Sequence, residues 1–226
     1  MSTSSSMTAP RDPSSTARLP EPGRRRARSP QHSATKEALI RCGVELCTEK
    51  GFQVTGIDEV LKRVGVPKGS FYHFFENKQL FGQAVIDAYA EYFQRKLDRT
   101  LGDTSHSPLT RLRNFVDEAR RGMDKFDCRR GCLVGNLGQE LAGLNDSFRV
   151  QLEATLMAWQ ETTAACLREA VAHGELPTGT DTQKLAAFFW IGWEGAILRA
   201  KLARNTEPLQ TFADYFFALL GLAHDV

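Results

Sequence analysis

Two stretches carry side chains with chemistry to offer. The first is Cys128–Leu141, CRRGCLVGNLGQEL, in which Cys132 follows Arg129 and Arg130. Cations beside a thiol lower its pKa and raise its thiolate fraction, so Cys132 is a candidate nucleophile or oxidant-sensitive group. The plainer reading is a packed, inert thiol. Cys128 lies four residues earlier. A helix through both would put the two sulfurs on one side, but a disulfide needs a suitable Cα separation and is rare in reducing compartments. The second stretch is Thr55–Phe75, TGIDEVLKRVGVPKGSFYHFF. Lys68 and His73 offer donors, Ser70 and Tyr72 hydroxyls, and Gly69 no side chain at all. Such a face suits a phosphate backbone and base edges. Enzyme chemistry finds no support: there is no HExxH, no P-loop and no GxSxG, and His32, His73, His106, His173 and His224 are scattered. No paired Cys/His spacing of a structural zinc site occurs. No catalytic residue, metal ligand or cofactor is expected.

The elements that must hold the second stretch are two short helices and a turn. Thr55 suits an N-cap, with Asp58 reaching back as in a capping box. Ile57, Val60, Leu61 and Val64 recur at helical spacing. Gly65 ends the helix and Pro67 opens the next, over about Pro67–Phe75. That helix is too short to stand alone, so Phe71 and Phe74 are expected to face inward at i, i+3. This is the sequence form of a helix-turn-helix, which lays one helix in the DNA major groove. The candidate DNA contacts are Thr55, Gly56, Lys68, Gly69, Ser70, Tyr72 and His73. A helix from Thr35 to about Glu49 precedes them. Asn77 caps a fourth helix running from Lys78 to about Leu101, and Lys78 sits where helix N–H groups also favour a phosphate.

The 226 residues are 42% hydrophobic and 25% charged with a net charge of +2, a composition of globular proteins. No apolar run approaches the roughly 20 residues of a membrane span, and the start has no signal-peptide centre. No membrane is expected, and the location expected is cytoplasmic. Met1–Ser33 reads as a disordered tail with Arg18, Arg24, Arg25, Arg26 and Arg28. It is either a basic arm following phosphates or a solvated tail. Pro108 starts a fifth helix, and Gly131, Gly135 and Gly138 suggest a bend and close packing. Asp146 opens a long helix ending near Gly174. Asp181–Arg204 and Pro208–Leu222 close the chain. The first of these is apolar over much of its circumference and therefore buried on several sides. Paired with the last helix, it is read as a four-helix interface between two copies of the chain. The expected fold is all-α. Residues 1–33 form the tail, 34–80 the helix-turn-helix DNA-binding domain, and 81–226 a ligand-binding and dimerisation domain.

A sensor site between helices would be apolar with a few orienting polar groups. The candidate effector-binding residues are Met123, Phe126, Cys132, Asn136, Trp159, Trp190, Trp193, Glu194 and Arg199. Arg199 or Asn136 would meet a carboxylate. Trp190 and Trp193 would be walls, or ordinary core.

GIDEVLKRVGVPKGSFYHFFENKQLF resembles the DNA-binding segment of the TetR family of bacterial repressors, GVPKGSFYHFFENK most specifically. ALIRCGVELCTEKGF resembles that family's first helix. The resemblance implies a homodimer that binds double-stranded operator DNA and is released by a small-molecule effector. It also implies a contact from Lys78 to the DNA backbone, with the fourth helix as lever. Within the family, GCLVGNLGQEL and FWIGWEGAILRAKL are similar to acrylate-responsive repressors, over about Thr35 to Leu209. That similarity implies acrylate or a related unsaturated acid as effector, and control of genes for acrylate and dimethylsulfoniopropionate breakdown. Electrophile-sensing members carry a reactive cysteine in a similar Gly-Cys-Leu context, so a repressor acting through Cys132 by addition or oxidation is a second reading. A helical interaction module without DNA binding is a third.

Overall fold

The structure is a computed structural model and describes residues 30–222. Among these residues the chain is all-α. Helix α1 is Pro30–Lys50, α2 Ile57–Val64, α3 Phe71–Phe74, α4 Lys78–Leu101, α5 Pro108–Asp124, α6 Leu133–Leu141, α7 Asp146–Ala172, α8 Thr182–Ala203 and α9 Glu207–Leu222. A single 3-10 turn, Lys68–Ser70, precedes α3. Of the expected tail, residues 1–29 lie outside the described residues. Residues 30–33 already belong to α1.

The first three helices and the start of α4 pack around one apolar cluster. Leu39 and Leu46 of α1, Val60 and Leu61 of α2, Phe71, and Phe81 and Val85 of α4 are buried together. Three details differ from the sequence reading. The N-cap of α2 is Gly56, not Thr55, and no side chain caps it. The Thr55 hydroxyl turns inward and donates to the Gly51 carbonyl at 2.6 Å, so the capping box does not form. Asp58 is thereby free to pair with Lys68, Nζ to Oδ2 2.7 Å. The second helix of the motif is split. Pro67 is extended, and the Ser70 N–H returns to its carbonyl at 2.9 Å, an i to i+3 bond that tightens the turn before α3. The inward pair is Phe71 and Phe75, at i, i+4. Phe74 instead stacks on His32 at 4.6 Å. Gly65 ends α2 as expected, at φ 74, with its own N–H and that of Val66 returning to α2 carbonyls.

Asn77 caps α4 by accepting from the Leu80 N–H at 2.8 Å. Helix α4 then runs between both parts of the molecule, packed on α1 at one end and on α5 and α7 beyond. The second part is an aromatic core. Trp159 of α7 and Trp190 of α8 lie 5.3 Å apart, and Phe93 of α4 lies 4.3 Å from Trp159. The Trp190 indole N–H donates to the buried Thr163 hydroxyl at 3.0 Å, so neither polar group is stranded. The apolar circumference of α8 is divided. Phe189, Trp190 and Trp193 fill the chain's own core, while Phe188, Ile191, Leu198 and Leu202 face outward. Gly192 admits the Phe212 ring of α9, so this close approach is made within the chain.

Candidate effector cavity and DNA-reading face

A cavity of about 320 Å³ opens between α1, α4, α5, α8 and the loop that enters α6. It lies at the lower end of the roughly 300–1,000 Å³ of small-molecule sites. Five of the nine expected residues line it: Met123, Phe126, Cys132, Trp193 and Glu194. Four do not. Trp159 and Trp190 are spent in the aromatic core described above. Asn136 faces α1, where its Nδ2 donates to the Thr48 carbonyl at 3.0 Å and its Oδ1 accepts from Lys201 at 3.2 Å. Arg199 is exposed on the far side of α8, among residues that meet α9. Five residues beyond Glu194, it is turned about 140° from the cavity at a helix's 100° per residue.

Sequence reasoning missed the contribution of α4. Tyr89, Phe93 and Lys96 stand at i, i+4 and i+7 on its inner face and line the cavity. That spacing was visible, but α4 reads as a connector and not as a wall. Lys96 is largely buried, and burial lowers its ammonium pKa, with Glu118 pulling it back up. Arg130 also lines the cavity. It is fixed by two bonds to Glu49 Oε1, at 2.9 and 2.7 Å, and stacks over Phe126 at 4.2 Å.

Cys132 is the N-cap residue of α6 and is almost fully buried. The expectation that neighbouring arginines acidify it is overturned. Burial pushes its thiol well above the usual range and the Glu194 carboxylate pushes it further, while the N–H of Gly135 pulls it down. Arg130 does not count among these influences because it is turned to Glu49. The idea of two sulfurs on one helix also fails. Residues 125–132 are a loop with Asp127 and Cys128 at positive φ, and both cysteines are free.

Glu194 enters from α8. Its carboxyl is pushed up to about 7 by burial, with the Cys132 thiol's hydrogen bond pulling it back. Its Oε1 is buried without a hydrogen-bond partner, an arrangement that costs roughly 1–3 kcal/mol. Gly135 is what admits this carboxylate: a Cβ there would collide with Glu194 Oε2. Gly131 is similarly tight, against Lys201 at 2.7 Å, whereas Gly138 faces open space.

Helix α6 is tied to the reading domain. Glu140 accepts from the backbone N–H of Phe52 at 2.8 Å and of Gln53 at 2.6 Å, both in the turn between α1 and α2. Asn136 and Arg130 add the α1 bonds already given. The expected lever, α4, therefore has a companion that runs from the cavity to the helix-turn-helix.

On the reading face, Lys68, Gly69, Tyr72 and His73 are exposed and Ser70 is half-buried. Gly56 is exposed at the start of α2. Thr55 is the exception: it is buried, its hydroxyl is spent on Gly51, and it is not available to DNA. The Lys78 ammonium donates to the Gln53 carbonyl at 2.9 Å and sits over the Phe52 ring at 4.7 Å.

Comparison with known proteins agrees with this architecture. Residues 39–84 match the family model "Bacterial regulatory proteins, tetR family", and residues 108–216 match "Tetracyclin repressor-like, C-terminal domain". The chain is 52% identical over 204 residues to the transcriptional regulator AcuR of Cereibacter sphaeroides, covering 90% of this chain and 93% of that one. It is 33% identical to the transcriptional repressor DhaR of a Mycobacterium species, over 82% and 91% of the two chains. The crystal structure of a regulatory protein TetR from Rhodobacter sphaeroides superposes with a TM-score of 0.78 at 53% identity, over 80% of this chain and 96% of that one. Escherichia coli NemR in its reduced form superposes with a TM-score of 0.75 at 26% identity, over 81% and 95%. These are regulators and not enzymes, and the chain belongs to the TetR family of bacterial transcriptional regulators.

Proposed function

We propose that the protein is a ligand-responsive repressor that binds operator DNA as a homodimer and is released by a small unsaturated acid such as acrylate. The observation that carries this reading is the cavity beside Cys132, whose entry helix α6 grips the α1–α2 turn through Glu140. The ligand's carboxylate is held by Lys96 and Arg130, and its apolar end lies among Phe93, Met123 and Trp193. A filled cavity shifts α6, and the shift alters the spacing of the two reading faces. The ligand weakens DNA binding only by its differential affinity for the two arrangements, typically ~1–3 kcal/mol. The resemblance of GCLVGNLGQEL and FWIGWEGAILRAKL to acrylate-responsive repressors supports acrylate as the class. Residues 34–80 act as the reading domain, 81–226 as the sensing and pairing domain, and the site of action is the cytoplasm.

Gel-retardation titration with acrylate, methacrylate and propionate tests the ligand. Acrylate is expected to release the operator and propionate to do so poorly; propionate acting as well as acrylate would remove sensing of the double bond. Lys96→Met is expected to raise the acrylate concentration needed by ~10-fold or more, the loss of one charge-assisted bond.

On the DNA side, Lys68, Gly69, Ser70, Tyr72 and His73 enter the major groove, Gly56 allows a close backbone approach, and Lys78 exchanges its Gln53 carbonyl for a phosphate. The Lys68–Asp58 pair is exposed and worth at most ~1 kcal/mol, so it opens readily. Lys68→Ala is expected to weaken operator binding across sequences and to reduce the slope of log K against log salt by about 1 per subunit. An unchanged slope would remove Lys68 from the contact.

A further inference from the structure

We propose that Glu194 is the proton acceptor and donor for addition of the Cys132 thiol to the ligand's double bond, so that the cavity holds a carboxylate–thiol pair built for reversible conjugate addition. This rests on the cavity being the effector site. The two groups come from distant parts of the chain, the loop before α6 and the middle of α8, and they meet at the cavity wall. Both crowd the same point, Gly135: a Cβ there would collide with Glu194 Oε2 and would stand 3.8 Å from the Cys132 Cβ. The carboxylate's second oxygen, Oε1, is buried and unpartnered. No arginine supplies a standing thiolate, since Arg130 is bound to Glu49 and Cys132 is held in its protonated form by burial. A thiol in that state attacks only if a base takes its proton as the bond forms. Glu194 is the buried carboxylate placed for this task. Of the other groups facing it, Tyr89 and Lys96 come from α4, Glu45 from α1 and Arg130 from the α6 entry loop, while α5 contributes apolar walls. The Tyr89 hydroxyl is buried and held protonated, Lys96 pairs with Glu118, and Glu45 is exposed on α1.

The step balances without a co-reactant. Sγ bonds to the terminal carbon of the double bond while the thiol proton passes to Glu194. The displaced π pair becomes the enolate of the ligand's carboxyl or carbonyl. Glu194 then returns the proton to the α-carbon. The N–H groups at the start of α6 steady the sulfur's developing charge. The reverse begins with Glu194 removing the α-proton and ends with expulsion of the thiol, so the signal is erasable.

The test uses the full chain, with acrylate and acrylamide as probes, read by intact-mass and peptide mass spectrometry. Adduct formation is followed from about pH 6 to 8.5. The wild type is expected to gain one adduct, on Cys132, and Cys132→Ser none. Its rate should rise as Glu194 ionises near 7 and then level off. Glu194→Gln is expected to react ~10²-fold more slowly at the alkaline end, a typical general-base contribution, with a rate that climbs steadily with pH and does not level. Operator retention by the free variant shows that it is folded; should it fail to retain operator, Glu194→Asp, which keeps the carboxylate one methylene farther away, is expected to be slowed with the levelling preserved. Glu194→Gln or Glu194→Asp reacting at the wild-type rate with the wild-type profile would overturn the proposal. So would release of operator by acrylate without any adduct, an outcome that leaves the repressor reading intact. Acrylate that neither binds nor releases operator would sink that reading instead, while an acrylamide adduct on Cys132 that depends on Glu194 would still uphold the pair's chemistry.

Discussion

Changing Ile191 and Leu202 together to glutamate is expected to leave a folded monomer whose operator affinity is roughly 10²–10⁴-fold lower. Both side chains stand out from α8, at 75% and 71% exposure among the described residues, and Tyr215 of α9 joins them at 77%. Residues 188, 191, 198 and 202 form one stripe along α8, and 215 and 219 one along α9. An exposed apolar stripe of this extent is the kind of surface that partners cover. Two such pairs of helices crossing on a two-fold axis make a closed interface. Placed there, each glutamate would be buried without a cation, which costs several kcal/mol per interface and is doubled by symmetry. Because the inner face of α8 is untouched, the subunit core survives. The loss of affinity follows from chelation: a dimer binds its second half-site at an effective concentration that a monomer lacks. Sedimentation measures the mass and gel retardation the affinity. A double variant that still sediments as a dimer would move the interface elsewhere.

Phe71→Ala is the second large effect. It is expected to cost about 3–5 kcal/mol, the range for deleting a buried aromatic ring, and to lower the melting temperature by roughly 10 °C. Phe71 is the buried residue of the four-residue helix α3. Its ring meets Phe75 at 5.5 Å and Phe81 at 5.6 Å. A helix of one turn has no stability of its own, so this ring holds Lys68–His73 in place. Operator binding should therefore vanish at temperatures where the cavity still binds ligand. Phe71→Leu, which keeps most of the volume, is expected to retain DNA binding at a cost of about 1–2 kcal/mol. Thermal melting by circular dichroism and operator retention, measured side by side, separate local undocking from global unfolding.

What the sequence made legible depends on the range of the contacts. The helix-turn-helix was readable because its signals are local: the stripe Ile57–Val64, Gly65 at the turn, Pro67 and a capping Asn77. Thr55 was misread because a hydroxyl before a helix has two outlets, the helix amides or an earlier carbonyl. The backbone chose the second, at Gly51. Cys132 was misread because sequence neighbours were taken for spatial ones. Arg130 turns to a residue 81 positions away, and the carboxylate that governs the thiol arrives from α8. Arg199 was proposed as a cation on the right helix but the wrong face, and Lys96, about five turns into α4, was overlooked. Long-range partnerships of this kind leave little mark on local spacing.

Glu140 sets a rule of occupancy. A duplex that favours the arrangement in which this carboxylate holds Phe52 and Gln53 must oppose the filled cavity by the same factor with which the filled cavity opposes the duplex. If the cavity takes an inducer as proposed, promoter and inducer compete without sharing a surface, and copies of the protein adrift from DNA register the inducer first.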